Sequence, residues 1–261
     1  MKLTEVFARA KAENRAALIG YMPAGFPDQE SSKKLIAAMV DGGVDIVEVG
    51  FPYSDPVMDG PVIQQAAEIS LKNGTSSEDV FNVVASTTVP TLVMSYWNPI
   101  SRYGVRNFAE KLSASKGVGV ITPDLTIEES DEWISATSDS AIDRVYVVAP
   151  STADHRLAKV TSACSGFVYA ASLMGVTGAR ASISGSASEL VNRIRSVTEL
   201  PIAVGLGVSN AQQAAEVAGY ADGVIVGSAF IKLVLESATI DEAVLRVRTL
   251  AEQLAAGVRL R

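Results

Sequence analysis

The chain has 261 residues, 48% of them hydrophobic and 20% charged, so it can bury a large core and does not read as a disordered segment. A net charge of −7, with no run of Lys and Arg, argues against nucleic acid or an anionic membrane as partner, although a few backbone amides can still bind phosphate. The single Cys164 excludes an intramolecular disulfide, and the single His155 excludes a His-rich metal site.

Met1 to Asn14 precedes the first strand. Phe7 and Ala8 beside Lys11, Glu13 and Arg15 predict an amphipathic helix that caps one end of the fold. This opening segment lacks the apolar core of a signal peptide, and no apolar run in the chain is long enough to span a bilayer. A cytoplasmic location is the expectation.

Short β-rich apolar runs then recur: Ala17 to Met22, Val44 to Val49, Thr91 to Tyr96, Val118 to Thr122, Arg144 to Ala149, Phe167 to Ala171, Ile202 to Gly205 and Gly223 to Val226. Helical patterns lie between them, over Gln29 to Val40, Ile63 to Leu71 with Glu78 to Val84, Val105 to Leu112, Glu128 to Ala136, His155 to Ala163, Ser186 to Val197 and Ala211 to Val217. A last helical region runs from Ala229 to about Leu254. Asp28, Asp154 and Ser209-Asn210 stand where helix caps are expected. Asp124 reads as a cap for the helix after it, and Cys164 as a small buried filler at a helix end.

Alternation of this kind predicts parallel strands joined by helical crossovers. Eight units in about 250 residues is the size of a closed barrel. The expectation is an α/β protein, a single-domain (β/α)8 TIM barrel over residues 1–261 with an extra N-terminal helix. An open doubly wound sheet is the alternative, usually with fewer strands and with its phosphate loop after the first of them.

The loops after the strands of such a barrel form its working face. Glu48 lies inside the second strand, flanked by Val47 and Val49, where an unpartnered carboxylate is costly. It is either half of a buried ion pair with a distant Arg or Lys, or a catalytic acid–base. Asp59 follows in a loop rich in Pro and Gly, either as a turn former or as a second reactive acid. Tyr169 in the sixth strand suits packing or a pocket wall. Gly175-Val176-Thr177-Gly178, Gly205-Leu206-Gly207 and Gly227-Ser228 follow the sixth, seventh and eighth strands. Glycines there let backbone amides approach an anion, and Ser228 opens a helix whose N-terminus favours phosphate.

The run from Glu48 to Pro56 (EVGFPYSDP), with Asp59-Gly60-Pro61 and the three glycine loops in the same order, resembles the tryptophan synthase alpha chain family along essentially the whole chain. The resemblance implies a barrel that cleaves indole-3-glycerol phosphate to indole and glyceraldehyde 3-phosphate, without a cofactor of its own. It implies a beta-chain partner that carries pyridoxal phosphate, in an αββα assembly. It also assigns roles. Glu48 and Asp59 match the two catalytic acids. Tyr169, Tyr21, Met94, Ile121, Val148, Thr177 and Leu206 match the substrate pocket, and Gly178, Gly207, Gly227 and Ser228 the phosphate loops. Tyr21, Met58 and Leu173-Met174 depart from residues common in the family. A non-catalytic activating subunit, a stand-alone lyase and a different phosphate-binding barrel, such as a sugar-phosphate isomerase, are the competing readings.

Overall fold

The first helix, α1 (Leu3–Ala12), buries Leu3, Val6, Phe7 and Ala10, the spacing of a single helical face. The strands β1 (Ala17–Pro23), β2 (Ile46–Gly50), β3 (Thr91–Met94), β4 (Gly119–Thr122), β5 (Asp143–Val148), β6 (Val168–Ala171), β7 (Ile202–Gly205) and β8 (Gly223–Val226) pair in parallel in chain order. β8 pairs back onto β1, which closes the barrel. This is a computed structural model, and it describes residues 2–171, 180–205 and 207–260, with backbone alone over 180–185.

Strand side chains alternate between two apolar environments. Ala17 and Ile19 of β1, Ile46 of β2, Leu92 of β3, Ile121 of β4, Val145 of β5, Ala203 of β7 and Ile225 of β8 fill the barrel with the apolar face of α1. Phe7 meets Phe167 there, with ring centroids 5.6 Å apart. The alternate residues, such as Leu18, Val47, Val49, Val93 and Val120, pack outward against the helices. The N-terminal end is therefore plugged by α1, as the sequence predicts, although Ala8 is exposed and Leu3 and Val6 do much of the covering.

Between the strands lie α2 (Gln29–Asp41), α3 (Pro61–Lys72), α4 (Ser77–Ser86), α5 (Trp97–Tyr103), α6 (Val105–Ala114), α7 (Asp131–Asp139), α8 (Asp154–Ala163), α9 (Arg180–Arg195) and α10 (Ala211–Ala218). α11 (Ser228–Leu235) and α12 (Ile240–Gly257) end the chain. Asp28 caps α2 by accepting from the Ser31 amide at 2.8 Å, and Asn210 caps α10 by accepting from the Gln213 amide at 3.0 Å. None of the described helices is long and apolar enough to cross a membrane.

Some local expectations need correction. β3 stops at Met94, short of the expected Tyr96, because α5 starts at Trp97, with Pro99 in its first turn, where Pro is tolerated. The last helical region is two helices, with Thr239 capping the second through the Glu242 amide. Asp154 is not a cap: Ala153 holds that position, and the Asp154 carboxylate receives Arg193 instead. Asp124 caps α5, the helix before it in the chain, by accepting the Trp97 amide at 2.8 Å. Cys164 is buried at the end of α8, and burial pushes its thiol up to about 11, so it fills space.

Candidate active site

A cavity of about 390 Å³ opens at the C-terminal ends of the strands, opposite α1. Tyr21, Glu48, Asp59, Met94, Ile121, Tyr169, Gly207, Gly227 and Ser228, all expected from the sequence, line it. Two glycines make room for the tyrosines. A Cβ on Gly50 would collide with the Tyr21 hydroxyl, and one on Gly205 with the Tyr169 hydroxyl.

Glu48 stands on β2 opposite Tyr21 of β1 in register and is only 2% exposed. Its Oε1 has no hydrogen-bond partner among the described residues. The contrast with Asp45, three residues earlier, is direct. Asp45 is also buried, but it accepts from Arg15 at 2.6 and 2.9 Å and from the Leu18 amide at 2.9 Å. Asp45 is a structural acid; among the described residues Glu48 faces the cavity without a counter-ion, and burial pushes its carboxyl up to about 8. The ion-pair reading of Glu48 fails for this reason.

Asp59 sits half-buried in the loop between β2 and α3. Burial raises its carboxyl to about 6, against the pull of a hydrogen bond from the Tyr96 hydroxyl. Two acids therefore share one cavity and differ in proton affinity by about two orders of magnitude, which separates a protonated acid from an anion near neutral pH. None of the described residues lining the cavity is Lys or Arg. α11 begins at Ser228 without a side-chain cap on Gly227, so its first amides have no side-chain acceptor.

Val148 does not line the cavity. It packs outward with Val168 and Leu157, and its neighbour Val147, paired with Tyr169, faces in. Both faces of β5 are largely apolar, so hydropathy alone leaves its inward parity undecided. Thr177, Gly178 and Leu206 lie outside the described residues, as do Leu173 and Met174. The sequence reading missed Ile63, Pro123, Ala171 and Ile225 as lining residues and noted Met58 only as a departure. Counting by two along β6 and β8 from Tyr169 and Gly227 finds Ala171 and Ile225; Ile63 and Pro123 come from loop and helix ends that carry no such period.

Comparison with known proteins agrees with this geometry. Residues 7–259 match the family profile of the tryptophan synthase alpha chain. The chain is 58% identical to the tryptophan synthase alpha chain of Thermobifida fusca, over 98% of this chain and 97% of that one. It is 55% identical to the one from Streptomyces avermitilis, over 98% and 94% respectively. Its fold is similar to a chain in the crystal structure of tryptophan synthase from M. tuberculosis in its aminoacrylate- and BRD0059-bound form, with a TM-score of 0.91, 46% identity and 99% and 98% of the two chains covered.

Proposed function

The chain belongs to the tryptophan synthase alpha chain family and takes the alpha-subunit role of a lyase, and from that premise we propose how its own residues cleave indole-3-glycerol phosphate. The reaction is a retro-aldol cleavage. A proton is added to indole C3, the adjacent side-chain hydroxyl loses one, and the bond between C3 and the carbinol carbon breaks. Its electrons return to the ring, leaving indole and glyceraldehyde 3-phosphate with no net change in protons.

Glu48 is the acid for C3 and then the base for the hydroxyl proton. It is a neutral carboxylic acid at pH 7 with a free oxygen, which is what the first step requires. That unpartnered, buried carboxyl is the observation that carries the proposal. Asp59 accepts the indole N1–H and, as an anion, stabilises the positive charge that grows on the ring. Met94, Ile121, Ile225 and Tyr169 give the ring an apolar wall. Gly207, Gly227 and Ser228 hold the phosphate at the start of α11; by resemblance Gly178 joins them, and Thr177 and Leu206 belong to the substrate pocket.

The whole chain acts as one domain without a cofactor of its own. Indole passes to a beta chain that carries pyridoxal phosphate, in an αββα tetramer, in the cytoplasm. Glu48→Gln, which keeps shape and loses the proton, should abolish indole release from indole-3-glycerol phosphate. Release at the parental rate would remove Glu48 from the mechanism.

A further inference from the structure

Asp59 sits on a loop with little burial of its own. Val57 is 80% exposed and Met58 55%. Among the described residues, the hydrogen bonds of residues 54–60 stay within the loop or reach α3, as from the Gln64 side chain to the Asp59 carbonyl at 2.9 Å. One bond leaves for the barrel wall. The Met58 amide donates to the Tyr96 hydroxyl at 2.9 Å. Tyr96 follows β3, is 2% exposed, and stacks on Tyr53 with ring centroids 5.4 Å apart.

The Asp59 carboxylate lies beside the same hydroxyl, close enough for that hydroxyl to oppose the upward pull of burial on it. A phenol has one proton and two lone pairs. With a lone pair occupied by the Met58 N–H, its proton stays available to the next residue's carboxylate. The residue after Tyr96 is itself held, because Asp124 receives the Trp97 amide. Strand ends β3 and β4 thus fix the Tyr96 hydroxyl, and the hydroxyl fixes two successive loop residues.

We infer that Tyr96 is a positioning residue for the reaction: by holding the Met58 amide it sets its hydroxyl beside the Asp59 carboxylate and keeps Asp59 in place. This rests on the reading of Asp59 as the acceptor of indole N1–H. Among the described residues, the other titratable groups lining the cavity are Tyr21 on β1, Glu48 on β2 and Tyr169 on β6, and Asp124 acts on Tyr96 from after β4. None of them is a cation able to do the same work. The acid-stabilising interaction of Asp59 therefore falls to Tyr96.

The test is Tyr96→Phe, which keeps the ring and its stacking on Tyr53. Two readouts are needed: kcat/KM for indole release against pH, and the Asp59 titration followed by NMR on chain labelled with 13C at the aspartate carboxyls, assigned by Asp59→Asn. The expected result is an acid limb and an Asp59 midpoint that both move up by about one pH unit, the effect of one lost bond to a charged acceptor. Activity lost near pH 6 should recover in part near pH 7.5. A uniform loss at every pH with an unmoved Asp59 midpoint would overturn the inference and leave Tyr96 a packing residue. If the midpoint moves while Asp59→Asn keeps full activity, the link from Tyr96 to Asp59 stands and the reading of Asp59 falls.

Discussion

Glu48 and Asp59 make pH the most informative variable at the level of single residues. Glu48 must carry a proton and Asp59 must not, so kcat/KM should be bell-shaped, falling below about pH 6 and above about pH 8. A flat profile from pH 5 to 9 would contradict both assignments. Glu48 also links catalysis to stability. Its folded value of about 8 lies above its ordinary 4.5, so the folded state binds the extra proton between those values. Its stabilising contribution is fully present below about pH 4.5 and is lost as pH rises towards 8. Glu48→Gln has no such titration. Urea unfolding at pH 8.5 should show the variant more stable than the parent, with the gap closing at pH 5. Equal parental stability at both pH values, once other groups are matched by the variant's own curve, would show that Glu48 is not held in this way.

Single elements differ in what they support. α1 packs under the barrel, far from the cavity at the other end, so its damage should appear in stability and not in chemistry. Phe7→Ala removes a ring that is 5% exposed and touches Phe167, and should cost about 3 kcal/mol in denaturant unfolding. The KM for indole-3-glycerol phosphate should stay within about twofold, as expected for a change that leaves substrate contacts intact. A large KM change would mean that the two ends of the barrel are coupled. Element order and type were legible in the sequence because apolar runs of strand length alternate with helical periodicity. The reactive acids were legible for a different reason: Glu48 breaks an apolar run, and Asp59 sits in a family motif. Three things were hidden. Val147 and Val148 are both apolar on a strand with apolar surroundings on both sides, so parity was open. α5, only 7 residues long, is too short to show a helical period. The partners of Asp124 and Tyr96 are distant in the chain, and no local pattern announces a bond from residue 97 to residue 124.

The whole molecule joins a rigid shell to a reactive rim. The Arg15–Asp45 pair closes the lower end, with Asp45 also holding the Leu18 amide of β1. Asp45→Asn leaves buried Arg15 with only Glu13, at 2.6 Å, as counter-ion, and should lower stability by about 2 kcal/mol while kcat near pH 7 changes little. At the upper end the expected partner is a beta chain. Gel filtration of this chain with a cognate beta chain should give a species of the mass of an αββα tetramer. Separate elution across micromolar concentrations would favour the stand-alone lyase.

Among the described residues α1 stops one end of the barrel, so the cavity is a cup open at the other. On the proposed reading, water and substrate enter from that side, and Asp59 stands on its sill. Covering that opening once, by the substrate's own phosphate tail or by the face of a docked neighbour, dries the floor where Glu48 sits.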